Sequence, residues 1–391
     1  MRKPNTGHGA LITGGFLALV IAMGVGRFAY TPLLPAMQNQ FGFSDEIAGS
    51  MAAVNYLGYL LGALLCFKNM RAETKLRVFR ICLVLSILTT AWMGLVTQVG
   101  LWTVLRLVSG MASAGIFIIG SSIVMGRLPQ SKTLLGILMY SGVGAGIAMS
   151  GVVSPVLIKY FNVQFSWVGL ALICLPLALF CWFVMIPPTL EPKADLNAKG
   201  SIEFEYPQLF PWLMAAYFCE GFGYIVSGTF IVSFLQGQSG FFSSGPVAWT
   251  MVGLAASVSI PVFHQLSKRL HLLHVLIIAH FMQGLGILLP VLSSHWLCVI
   301  SGSILFGGTF MGIVALTLSI GKTLKPGQSQ RVIGMLTAIY GVGQILGPLV
   351  SGILSENTGD FVSALVMSAL VVMLGGFILT AGILKQKMVK I

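Results

Sequence analysis

The sequence predicts an all-α integral membrane protein: twelve transmembrane helices arranged as two pseudo-symmetric six-helix bundles. Three observations predict it. The chain is 56% hydrophobic and only 8% charged, with a mean hydropathy of +0.93, whereas a soluble domain carries about 25% charged residues. Its apolar runs are long enough to cross a bilayer, which takes about 20 residues per helix. Its second half also repeats landmarks of the first, shifted by 197 to 199 positions: Gly24 and Gly26 recur as Gly221 and Gly223, and Gly142 and Gly144 as Gly341 and Gly343.

The apolar stretches run at about 10–37, 46–67, 78–98, 101–126, 134–158, 165–186, 210–235, 246–266, 272–293, 296–321, 331–354 and 361–384. The only sizeable polar segment, Pro187 to Leu209, separates the sixth from the seventh. It divides the chain into a bundle over 1–186, a cytoplasmic linker over 187–209 and a second bundle over 210–391. Each half has an even number of spans, so the two share one orientation, as parallel repeats do.

Charge placement sets that orientation. Nineteen of the 22 Lys and Arg residues fall in or beside the segments that lie on one side if the N-terminus is inside. Lys159 alone sits in an outer loop, and Arg27 and Arg106 lie within spans. This positive-inside bias puts both termini in the cytoplasm. The formal charge of +12 therefore reads as orientation and not as a nucleic-acid footprint. Arg2 and Lys3 precede a long apolar run, read as an uncleaved first span. The six cysteines form no C-x-x-C pair and imply no disulfide framework.

The first span contains Ala22 to Pro35, in which Arg27 is the only charge between Lys3 and Asp45. A guanidinium keeps its proton and must face protein or water there, which makes it a functional candidate. Tyr30 and Thr31 follow one turn on and share its face. Pro32 and Pro35 are expected to bend the helix near its outer end. The second span carries Gly58-x-x-x-Gly62, a pattern for close helix approach. Spans three and six are uniformly apolar and suit a lipid-facing position. The fourth places Arg106, Ser109 and Ser113 on one face, a polar stripe expected to border a cavity. Spans five and eleven are rich in glycine and proline.

The seventh span holds Glu220, the only carboxylate in any mid-span region, with Tyr224 and Ser227 on its face at i+4 and i+7. Through the repeat Glu220 aligns with Met23, so Arg27 lies one turn further along, about 6 Å by helical rise, within side-chain reach. His280 in span nine reads as a packed neutral histidine on a peripheral helix. The aromatics Tyr56, Tyr59, Tyr140, Phe306, Phe310 and Tyr340 read mostly as packing.

Six plus six spans, a polar central linker, Arg106 ahead of Gly110 and Ala114, and a Gly/Pro-rich fifth span together resemble the major facilitator superfamily. Gly24 to Pro35 is similar to the first helix of its bacterial YbfB/YjiJ-like branch. The resemblance implies a gradient-driven carrier of the bacterial cytoplasmic membrane that works by alternating access, with helices 1, 4, 7 and 10 lining the cavity. Gly142, Gly146, Gly151 and Pro155 match the antiporter-associated motif in part; the Gly-Pro pair stands in span eleven, at Gly347-Pro348. In the loop motif after span two, Gly62 fits, but Cys66 and Phe67 occupy the positions of the aspartate and arginine.

No H-E-x-x-H, metal cluster, paired intramembrane carboxylates or phosphate-binding glycine loop occurs, so neither an enzyme nor a cofactor is expected. A sensor or scaffold would not need three charges in mid-span. The expected function is secondary active transport of a small organic solute. Two arginines against one glutamate point to an organic anion with proton coupling; proton-antiport efflux of drugs or metabolites is the alternative. The candidate substrate-binding residues are Arg27, Tyr30, Thr31, Arg106, Ser109, Ser113, Tyr224 and Ser227, with Glu220 as the proton-coupling group. Expected partners are the small-molecule substrate, membrane lipid and protons, with no nucleic acid, and the chain is expected to act as a monomer.

Overall fold

The computed structural model describes residues 7–66, 70–129, 133–187, 208–238, 245–325 and 328–389. Among the described residues, twelve helices are long and apolar enough to cross a membrane: α1 His8–Phe41, α2 Asp45–Cys66, α3 Ala72–Leu95, α4 Val99–Arg127, α5 Leu135–Tyr160, α6 Val163–Val184, α7 Phe210–Gln236, α8 Gly245–Leu266, α9 Leu272–Leu292, α10 Trp296–Leu324, α11 Arg331–Thr358 and α12 Val362–Gln386. The expected linker falls almost wholly on 188–207, and Phe67 of the loop motif on 67–69, outside the described residues. All six cysteines are free.

The small residues are where backbones meet. On α2, a Cβ at Gly58 would collide with the Leu107 carbonyl of α4, and one at Gly62 would come within 2.6 Å of the Met111 carbonyl oxygen. The Gly58-x-x-x-Gly62 pattern is thus the α2–α4 contact, reinforced by Asn55 Nδ2 donating to the Arg106 carbonyl at 2.7 Å. Helix α5 is clamped on two sides: Gly146 lies against Gly24 of α1, and Gly144 against Gly253 and Ser257 of α8. We expect Gly146→Leu to abolish accumulation of folded protein, read as loss of the monodisperse peak in size-exclusion chromatography. No flexible group is available to yield at the Gly24 backbone.

The repeat is visible as contacts between equivalent residues. Arg27 meets Tyr224 and Thr31 meets Gly228, each pair 197 positions apart. The α2–α11 contact mirrors the α5–α8 contact. Along α2 and α11, Gly49 sits under the Pro348 carbonyl and Gly352 under the Asp45 carbonyl.

An even number of spans puts both chain ends on one face, here the terminal face. The far face is sealed. Asp45 Oδ2 accepts from Ser355 Oγ at 2.6 Å, Asp45 Oδ1 from Gln38 Nε2 at 2.7 Å, and Glu356 Oε2 from the Asp45 N–H at 2.9 Å. Glu356 thereby caps the α2 N-terminus from the opposite bundle, where a carboxylate is favoured by the exposed N–H groups and the helix dipole. Toward the terminal face, a cavity of about 410 Å³ separates the bundles, lined by Phe117 and Tyr140 on one side and by Phe263, His264, Met311 and Lys322 on the other. The structure is closed on the far face and parted on the terminal face. Gly352→Leu should wedge the far face open. The check is faster thiol labelling from that side at a cysteine introduced at Ser351, in a background lacking the native cysteines.

Candidate functional site

The site is built on a break in α1. Val20–Val25 form a π-helical turn, with Gly26 N–H donating to the Ile21 carbonyl at 2.8 Å and Phe28 N–H to the Met23 carbonyl at 3.0 Å. Regular α-helix resumes at Tyr30. The break therefore differs in place from the bend expected at Pro32 and Pro35. Pro32 falls in the first turn of the resumed helix, where its missing N–H costs nothing, and the break precedes it, among Gly24 and Gly26.

A broken turn leaves carbonyls without partners, and in an apolar medium these must be satisfied. Helix α4 supplies the donors. Ser113 Oγ donates to the Ala22 carbonyl at 2.7 Å, and Ser109 Oγ to the Gly26 carbonyl at 2.8 Å. The Arg106 guanidinium reaches the Gly26 and Arg27 carbonyls at 3.4 Å and lies 4.5 Å over the Tyr30 ring. Tyr30 itself donates to the Ala48 carbonyl at 3.1 Å. The α4 stripe thus packs behind the break in α1. Arg106, Ser109 and Ser113 are buried behind α1, and their hydrogen bonds go to the carbonyls of its break. Ser113→Ala, which leaves the Ala22 carbonyl unpaired, is expected to lower stability by about 1–3 kcal/mol, read as an earlier thermal unfolding transition.

Arg27 projects from the same break between the bundles and is only 3% exposed. Its guanidinium carbon lies 4.6 Å from the ring centroids of both Tyr56 and Tyr59 on α2 and 5.4 Å from that of Phe28. Its one hydrogen bond among the described residues is long, 3.4 Å from Nη2 to the Tyr224 hydroxyl, and Nε has no partner. Tyr224 also accepts from Gln344 Nε2 of α11. Thr31, one turn on, donates to the Gly228 carbonyl at 2.5 Å, beside the buried Ser227.

An aromatic wall extends from Tyr224. Its ring stacks with Phe310 at 5.7 Å and Tyr340 at 5.6 Å; Tyr340 continues to Tyr217 at 4.4 Å, and Phe310 to Phe306 at 6.0 Å. Stacked planes of this kind present apolar faces while their hydroxyls keep polar partners. Phe306, Phe310 and Tyr340, expected mostly to pack, line up in one wall beside Arg27. Gln344 is a site residue that the sequence reading does not single out, although one amide in the glycine-rich run of α11 is a visible signal.

Glu220 is turned elsewhere. It is fully buried, and its Oε1 accepts from Gln283 Nε2 of α9 at 2.8 Å, inside the second bundle. The expected Arg27–Glu220 pairing is therefore not made. Helix α9, expected to be peripheral, turns both His280 and Gln283 inward.

Comparison with known proteins agrees with this architecture. Residues 19–380 match the family described as "Uncharacterised MFS-type transporter YbfB". The chain belongs to this family of the major facilitator superfamily. The transporter is 23% identical over 362 residues to "Uncharacterized MFS-type transporter YceJ" of Bacillus subtilis (strain 168), covering 88% of this chain and 90% of that one. Its fold is similar to the crystal structure of the nucleoside transporter NupG, with a TM-score of 0.74, 16% identity, and 96% and 99% of the two chains covered. It is also similar to a bacterial homologue of the human lysosomal transporter Spinster in an inward-facing, occupied conformation, with a TM-score of 0.69, 16% identity, and coverage of 98% and 97%. The protein is a multi-pass membrane transporter and not an enzyme.

Proposed function

We propose that this transporter carries a small organic anion, coupled to proton movement, by alternating access in the bacterial cytoplasmic membrane. The observation that carries the reading is Arg27: a buried guanidinium between the bundles with no carboxylate partner among the described residues. A desolvated cation without a counter-ion is costly, and a carboxylate on the substrate removes that cost through two parallel N–H···O bonds. In this reading Arg27 and Tyr224 receive the anion, Thr31 and Ser227 border it, and Tyr30, Arg106, Ser109 and Ser113 set the shape of α1 behind it. Glu220 is the proton-coupling group. One chain contains all of these groups, so a monomer suffices.

The aromatic wall from Tyr217 to Phe306 favours a second reading, proton-antiport efflux of drugs or metabolites. The same wall suits an anion with a planar apolar body, so the charge of the ligand separates the two readings. Unfolding temperatures in the presence of organic acids and of cationic drugs test it: stabilisation by acids supports the first reading, and stabilisation by cations alone supports efflux.

The terminal face is assigned to the cytoplasm because, among the described residues, the Lys and Arg of the loops and span ends gather there, apart from Lys159 at the far end of α5. A reporter fused after Ile391 should read as cytoplasmic; a periplasmic signal would reverse the orientation.

A further inference from the structure

The cavity that parts the bundles toward the terminal face is separate from the site at Arg27. Its lining comes from α4, α5, α8, α9 and α10. None of the described residues lining it belongs to α1, α2, α7 or α11, the helices that carry Arg27, Tyr56, Tyr224 and Gln344. The cavity therefore lies to one side, along the seam between α5 and α8.

Its two ends differ in character. The inner end is apolar: Phe117 and Tyr140, whose rings tilt together at 5.6 Å, face Phe263 and Met311. The outer end is polar and cationic. Lys322 and Ser319 stand near the end of α10, with His264 and Ser267 at the end of α8. Lys268 and Arg269 follow in the next turn, exposed. No carboxylate answers these cations from the cavity's own helices, because the sequence has no Asp or Glu from Thr74 to Leu190 or from Gly221 to Ser355. From Met311 to Lys322 the distance along α10 is about 16 Å by helical rise. At the ~30 Å³ that a water molecule takes in the liquid, a volume of about 410 Å³ holds roughly 14 non-hydrogen atoms, the size of dodecanoate. That is room for one chain and a head, and too little for two chains.

The cavity also borders lipid. Leu138 on α5, two residues from Tyr140, and Val262 on α8, next to Phe263, are exposed. An amphiphile in the leaflet on the terminal side has its head at the level of Lys322 and its chain at the level of the inner end.

We infer that this cavity binds a single-chain anionic amphiphile, a fatty carboxylate, with its head at Lys322 and its chain between Tyr140 and Phe263. The chain supplies apolar contact, and the uncompensated cations select the sign of the head. A short anion leaves the apolar walls unfilled, and an alkyl cation is repelled at Lys322. The inference rests on the membrane placement of the chain and not on an anion at Arg27.

The test uses full-length protein in phosphatidylcholine nanodiscs at mildly alkaline pH, with a dodecanoate analogue that carries a diazirine at its chain end. Illumination should attach the probe to lining residues of α4, α5, α8 or α10, and excess dodecanoate should remove that label. Butyrate and dodecyltrimethylammonium should not. The concentration for half-maximal labelling should rise about two- to fivefold in Lys322→Gln, the range of an exposed ion pair, and further in Ala315→Phe, which fills the cavity. Arg27→Ala should label as the parent does, so the result stands whether or not an anion binds at Arg27. Label confined to the lipid-facing surfaces, competed equally by the alkyl cation, or unchanged in both cavity variants overturns the site. Loss of label in Arg27→Ala would merge the cavity with the transport site, and loss on adding phosphatidylglycerol would give it to a two-chained lipid; both contradict the inference.

Discussion

Arg27→Ala should lower affinity for the transported anion by about 100-fold or more while the protein still inserts and purifies as a single species. Truncating one partner of a buried, hydrogen-bonded charge pair costs about 2–5 kcal/mol, and 1.4 kcal/mol is tenfold in affinity. The effect on folding should be small or favourable, because Arg27 has one long hydrogen bond and an unpartnered Nε among the described residues. What the substitution removes is the desolvation cost of a cation and its packing on the Tyr56 and Tyr59 rings. Arg27→Lys retains charge but not the planar pair of donors, so it should fall between parent and alanine. Isothermal calorimetry across the three proteins measures this. Equal affinities would place the anion elsewhere.

Glu220→Gln should keep anion exchange and lose accumulation driven by a pH gradient. The amide copies the neutral acid in shape and keeps an acceptor for Gln283 Nε2, now at 2.8 Å, but it cannot release a proton. Carrier cycling needs only the closed far face and the parted terminal face to interchange; concentrative uptake also needs the proton. Uptake into proteoliposomes, with and without an imposed gradient, separates the two. A glutamine variant that accumulates substrate as the parent does would remove Glu220 from the coupling role.

Much of this is legible in the chain. Hydropathy marks the twelve spans, and the 197-residue repeat makes Arg27 and Tyr224, and Thr31 and Gly228, equivalent positions, but that these equivalents touch is seen only in the structure. Arg27 stands out because no other charge lies near it in sequence. The role of the α4 stripe is not legible. Ser109 and Ser113 facing water and the same residues facing a broken helix give one periodic pattern, and only the partner distinguishes them. Glu220 shows the same limit from another side. Spacing places it one turn from Tyr224, about 40° apart around the helix axis by the 3.6-residue repeat. That angle, with a flexible side chain, is enough to move it from the Arg27 side to Gln283 of α9. The π-turn at Val20–Val25 depends on donors 83 and 91 residues away, beyond any local pattern around Pro32.

The most direct test of the central claim is the unfolding temperature of the parent and Arg27→Ala proteins across one panel of organic carboxylates, their neutral amides and organic cations. An anion bound at Arg27 predicts that carboxylates raise the parent's transition, that their amides do not, and that the response disappears in Arg27→Ala. Stabilisation by cations, or by carboxylates equally in both proteins, would contradict it.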